Sequence, residues 1–189
     1  GDGGDELFGG YHHYSRLLWT KDMANIIPDS IKRLLSMFSK RYLPTGFKGR
    51  NWLQALATDF SHGLPQIASY FDLEERNKLL LSYYVSSNSI SVEDIWQKRV
   101  PDVDDLLQRA TLMDFKNYMV EDILVKVDRS SMLNSLEVRA PLLDYRIIDF
   151  AFGSVPSSLK ATSSERKILL KRLAKNILPP SFDFNRKQG

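Results

Sequence analysis

The sequence predicts a mainly α-helical chain, and three observations carry that prediction. Apolar residues recur at helical spacing along most of its 189 residues. Residues that start and stop helices bracket those runs. No stretch alternates apolar and polar residues as a half-buried strand does, and no internal repeat is found.

The elements follow in chain order. The chain opens GDGGDELFGGY, and Leu7, Phe8, Tyr11 and His12 fall at roughly helical spacing, so this loop is expected to run into a helix. Asp29, after Pro28, is placed to cap a helix carrying Ile31, Leu34, Leu35 and Phe38 on one face. The segment 42–51, with Pro44, Gly46 and Gly49, reads as a connecting loop, and Asn51 as the cap of a helix carrying Trp52, Leu53, Leu56 and Phe60. Ser91 opens SVEDIW, which resembles a capping box.

The longest regular stretch spans about residues 103–136. Val103, Leu106, Leu107 and Ala110 keep one face, and Leu112, Phe115, Met119 and Ile123 continue on a shifted one. Further on, Val120, Ile123, Leu124, Val125 and Val127 lie nearly all round, the pattern of a buried helix. Asp128 and Arg129, with Glu137 and Arg139 just beyond, are therefore expected to form a largely buried charge network. Thr162 and Glu165 make a capping box ahead of Ile168, Leu169, Leu173 and Ile177, and Pro179-Pro180 stops that helix.

Composition narrows the function classes. At 43% hydrophobic and 26% charged residues, the chain is globular rather than disordered. The absence of Cys excludes a disulfide frame, a thiolate metal site and a cysteine nucleophile within it. No apolar run approaches membrane-spanning length and no signal-peptide pattern is present, so a cytoplasmic location without a membrane partner is the default expectation. The net charge is only +3, but residues 160–189 hold eight Lys/Arg against two acids. That basic stretch suits polyanions. Without a recognisable nucleic-acid module or aromatic stacking platform, nucleic acid is not an expected partner. Gly1 is not a natural start, so a piece of a longer protein is expected.

The opening motif concentrates chemistry. Gly1, Gly3, Gly4, Gly9 and Gly10 share the first ten residues with Asp2, Asp5 and Glu6. Glycines let backbone N–H groups converge on an anion. Carboxylates beside them would repel a phosphate unless a divalent cation lies between, and Mg2+ commonly uses one or two carboxylates together with substrate phosphates. A solvated, Gly-rich turn with incidental acids is the bland alternative, since a lone Gly-rich string is weak evidence.

Two segments carry a resemblance to a known family. GDGGDELFGGY resembles the acidic pyrophosphate-loop motif of the asparagine synthetase family, and YMVEDILVKVDRSSMLNSLEVRAPLLDYRIIDFAF, residues 118–152, is very similar to that family's second long motif. The ending NRKQG, residues 185–189, looks like the start of its lysine-containing C-terminal loop. The order is right and the matches span the chain.

This resemblance implies a fold and a reaction. The fold is the helical C-terminal portion of an α/β ATP-pyrophosphatase-type synthetase domain, with residues 1–189 as that portion and the parallel sheet largely upstream. The reaction is ATP- and Mg2+-dependent activation of the aspartate side-chain carboxylate as an acyl-adenylate, then amidation by glutamine-derived ammonia from an N-terminal glutaminase domain. Gly1 matches a glycine against the adenylate, and Gly3 and Glu6 accompany it as cofactor-binding positions. Asp2 matches an acidic residue that handles the adenylate and the proton of ammonia. Asp5 matches a Mg2+ ligand, and Lys187 a lysine that reaches the phosphates and the reacting carbonyl. Preorganised positive charge aimed at a developing phosphate charge is usually the largest catalytic contribution, and a carboxylate is a competent general base.

Two hallmarks of the family are missing: the N-terminal Cys nucleophile of the glutaminase and the Ser-Gly-Gly-x-Asp-Ser pyrophosphate loop. Both would lie upstream of Gly1, so the 189-residue chain alone is expected to be inactive. Relatives that amidate or cyclise another carboxylate, and a noncatalytic helical interaction domain, are the rival readings. A homo-oligomer stays an open option.

Overall fold

The computed structural model describes residues 1–44, 46–65, 76, 79, 92–179 and 181–182. The expectations for Ser91 and Lys187 fall outside these residues. Among the described residues every named element is helical, and the extended pairing consists of one isolated antiparallel bridge between Ala161 and Arg166. The chain is mainly α, as its periodicity predicts. It divides into two compact units, Gly1–Arg16 with Ala110–Gly189, and Leu17–Arg109.

The opening motif forms helix α1, Gly4–Phe8, and a second helix, α2, His12–Ile26, follows Gly9 and Gly10. The expected single run is therefore interrupted. Gly9 lies in the left-handed region at φ 67°, which ends α1 and re-aims the chain. On α2, Tyr14, Leu17, Thr20 and Ala24 are buried, all three or four residues apart and so on one face.

In the Leu17–Arg109 unit, α3 (Asp29–Tyr42) packs against α4 (Arg50–Ala55). Three sequence expectations need correction here. Pro28 is the N-cap of α3, and Asp29 sits inside the first turn, paired with Lys32 at 2.6 Å. Ser36 and Ser39 are the buried positions of α3, whereas Ile31, Leu34 and Phe38 are exposed. The α4 cap is left-handed Gly49 instead of Asn51, and the helix ends at Ala55, short of Phe60.

Arg109 holds the backbone that follows this helix. Its side chain is buried, and its Nε donates to the Val103 carbonyl at 2.8 Å. Nη1 donates to Phe60 and Gly63 at 3.1 and 2.9 Å, and Nη2 to Ser61 and Asp104 at 2.5 and 3.1 Å. A planar guanidinium offers five N–H donors in a fixed fork. Here it satisfies the carbonyls of two loops, so the 60–63 backbone need not be helical. Helix α5, Val92–Arg99, also belongs to this unit, and its Glu93 pairs with Arg76.

The long regular stretch is a continuous run of three helical segments: α6 (Leu106–Asp114), a π-helix over Phe115–Ile123, and α7 (Leu124–Met132). A π-helix bonds i to i+5 and so takes in more residues per turn. That explains the shifted apolar face: Leu106, Leu107, Ala110 and Met113 are buried on α6, and Met119 takes over in the π-helix.

The expected burial beyond it does not occur in this chain. No residue of α7 is buried, and Val120, Leu133, Leu136 and Val138 are half or more exposed. The proposed buried charge network is likewise overturned. Glu137 and Arg139 pair with each other while 72% and 85% exposed, and Asp128 and Arg129 are exposed as well. A carboxylate and guanidinium two residues apart reach each other in water, so nothing draws them inside.

The C-terminal helices close the Gly1–Arg16 and Ala110–Gly189 unit. A 3-10 turn, Pro141–Leu143, leads to α8 (Tyr145–Gly153), then α9 (Ser157–Lys160) and α10 (Ile168–Ile177). Asp144 caps α8 by accepting from the Arg146 backbone N–H. The Thr162 capping box is corrected. Thr162 Oγ1 does accept from Glu165 N at 3.0 Å, but this closes the turn beside the Ala161–Arg166 bridge, and α10 starts only at Ile168. The Pro179-Pro180 stop holds, since α10 ends at Ile177. Leu7, Phe8, Ala151 and Val155 form the buried centre, with Phe115, Leu142, Ile148 and Leu170 packed against it. The opening motif is thus anchored by its own apolar pair. Among the described residues no helix is long and apolar enough to cross a membrane.

Candidate active site in the opening motif

The motif folds as a short helix on a left-handed hinge. Gly3 has φ 85° at the N-cap of α1, and the Gly3 carbonyl accepts from Leu7 N at 2.9 Å. A Cβ on Gly3 would lie 2.3 Å from Leu143 Cδ2. Here the absence of a side chain serves close packing as well as backbone conformation. Gly1 is exposed.

The three acids of the motif are placed in different surroundings. Asp2 is half-buried, and its carboxylate makes no hydrogen bond or ion pair among the described residues. Asp5 is also half-buried and lies 2.9 Å from Lys167 Nζ. Glu6 turns inward, 1% exposed, and accepts a 2.5 Å hydrogen bond from the Tyr11 hydroxyl. Burial raises the Glu6 carboxyl above its ordinary range, and burial with the neighbouring Glu6 raises the Tyr11 phenol.

Around Glu6 the fold assembles a polar aromatic cluster that the sequence reading did not single out. The Tyr14 hydroxyl donates to Asp114 Oδ2 at 2.7 Å, and His13 Nε2 lies 2.8 Å from the same oxygen. Tyr11 stacks on His13 with centroids 5.3 Å apart and meets Tyr118 edge-on at 6.1 Å. Burial holds the Tyr14 phenol well above its usual range, and burial followed by the Asp122 charge raises that of Tyr118. The local signal was YHHY, residues 11–14, directly after the motif. Asp114 stands 100 positions from Tyr14, so only the fold brings them together.

The donor set can be tested against a divalent cation. Asp2 and Asp5 offer only oxygen donors, which suits a hard ion such as Mg2+. The Lys167 ammonium already stands as a cation at Asp5. Among the described residues no group of three or more His, Cys, Asp or Glu could form a protein cage for a metal. Mg2+ needs no such cage, because it keeps several waters and shares its shell with phosphates. The residues fit.

Comparison with known proteins shows the family. The family model described as asparagine synthase matches residues 1–189. The glutamine-hydrolysing asparagine synthetase 1 of Bacillus subtilis is 32% identical over 190 residues, covering 100% of this chain and 29% of that protein. A Mycobacterium tuberculosis protein carrying the asparagine synthetase name is 30% identical over 198 residues, covering 95% of this chain and 27% of that protein. Asparagine synthetase 3 of Bacillus subtilis is 25% identical over 163 residues, covering 75% and 24%. The chain therefore spans under a third of the length of these relatives. No solved structure matches it significantly. With a match that runs its whole length and begins at the acidic glycine motif, this chain belongs to the asparagine synthase family.

Proposed function

We propose that the chain is the helical C-terminal part of a synthetase domain that activates a carboxylate with ATP and passes it to ammonia, with aspartate as the first candidate acceptor. The observation that carries this reading is the division of labour among the motif's acids. Glu6 is buried as a structural anchor, while the Asp2 carboxylate has no partner among the described residues and Asp5 sits beside a cation.

In this reading Asp5 would hold Mg2+, which would offset charge on the phosphates. The backbone of Gly1 and Gly3 lies against the nucleotide, with Lys187 as a compact point charge near the phosphates. Asp2 accepts a proton from ammonia as it attacks the activated carboxylate. Attack on the acyl-adenylate carbon forms the C–N bond, AMP leaves with the C–O electron pair, and one ammonium proton passes to Asp2.

The proposed partners are the rest of the synthetase domain, including its parallel sheet, and an N-terminal glutaminase domain that supplies ammonia. Val120, on the all-round apolar segment, and Leu133, Leu136 and Val138, beyond the end of α7, are exposed and support the first of these.

The test measures ATP–pyrophosphate exchange and amide formation side by side in the complete polypeptide, with aspartate and competing carboxylates. Asp5→Asn should abolish exchange at low Mg2+. Asp2→Asn should retain part of the exchange while amide formation falls about 10²–10⁴-fold. Equal loss of both activities in Asp2→Asn would move that residue to the adenylation step.

A further inference from the structure

Lys167 is the residue whose position the proposed chemistry does not yet use. Its backbone is left-handed, φ 53°, at the N-cap of α10. That conformation is disfavoured for a residue with a Cβ. Its side chain leaves α10 and reaches back to α1, where Nζ lies 2.9 Å from Asp5 Oδ1.

The loop makes room for that reach. A Cβ on Gly10 would lie 1.8 Å from Asp5 Oδ1 and 2.2 Å from Lys167 Cε. Gly10 is thus the floor on which the ion pair rests. The neighbouring Arg166 Nη1 donates to the Gly10 carbonyl at 3.3 Å, which holds the same turn against the same residue.

We propose that Lys167 is the resident counter-cation of Asp5 and must surrender this carboxylate when a divalent cation takes it. The inference rests on the reading of Asp5 as a metal ligand. An ammonium and a divalent ion cannot both sit within 3 Å of one carboxylate oxygen without strong mutual repulsion. Lys167 therefore keeps Asp5 pointed toward the cation position while the metal is away, and competes with it on arrival. The pair is about a third exposed on each side, so the competition is modest.

The test titrates Mn2+, as a paramagnetic stand-in for Mg2+, into the full chain and reads free Mn2+ by electron spin resonance. Lys167→Met should bind Mn2+ roughly fivefold more tightly than the parent. Lys167→Arg should stay close to the parent, and Asp5→Asn should lose the binding. Lys167→Gly suits the left-handed backbone, so it reports loss of the ammonium even where Lys167→Met folds poorly. If Lys167→Met and Lys167→Gly leave Mn2+ affinity unchanged or weaken it while Asp5→Asn abolishes it, the counter-cation role fails and Asp5 remains a metal ligand. If Asp5→Asn binds Mn2+ as the parent does, the metal reading of Asp5 fails and the inference goes with it.

Discussion

Single residues in this chain carry stability through backbone acceptors as much as through apolar contact. Arg109 is the plainest case, a buried guanidinium donating to the carbonyls of Phe60, Ser61, Gly63, Val103 and Asp104. Replacing it with Met keeps much of the volume but strips donors from several carbonyls at once. Hydrogen bonds donated by a charged group contribute about 1.5–3 kcal/mol each where water is kept away and less at the exposed Ser61 and Asp104, so Arg109→Met should destabilise the chain by about 3 kcal/mol. Urea unfolding followed by circular dichroism checks this, and an unshifted midpoint would refute the clamp. Arg139 is the counter-example. Its pair with Glu137 is exposed, so Arg139→Ala should change stability by no more than about 0.5 kcal/mol in the same assay.

Among the elements, α8 has a cap whose strength depends on pH. Asp144 accepts from the Arg146 backbone N–H and pairs with its side chain, which lowers the Asp144 carboxyl to about 2. A depressed folded pKa means that the cap's contribution is present above the ordinary carboxylate range and is lost as pH falls toward that value. Asp144→Ala should therefore flatten the acid limb of the helicity–pH curve in that window and leave its neutral limb parallel to the parent. An unchanged acid limb would show that this cap does not hold α8. The π-helix gives the long helical run its own logic. Its longer turns move the buried series from Ala110 and Met113 to Met119, a shift visible in the sequence only as a change of face.

Across the whole molecule, the apolar surface that remains open is as informative as the core. Leu133 is 86% exposed and Leu136 59%. The double substitution Leu133→Glu, Leu136→Glu should leave the midpoint of the 189-residue chain nearly unchanged, because neither side chain is buried there. In the longer polypeptide proposed above, where these residues would be covered, it should cost about 2 kcal/mol or more. Equal effects in both polypeptides would contradict the proposed covering. The sequence by itself determined the helical class, the acidic glycine motif and the family. These live in periodicity and in contiguous residues, which local chemistry can read. It also marked the Pro179-Pro180 stop, because proline blocks a helix from within the chain. Only the tertiary structure decided which apolar faces are buried, since a periodic face states a preference and not a partner, as α3 and α7 demonstrate. The fold alone joined Tyr14 to Asp114 and Lys167 to Asp5, pairs 100 and 162 positions apart, because no spacing rule links residues whose nearness depends on how separate helices return to one place.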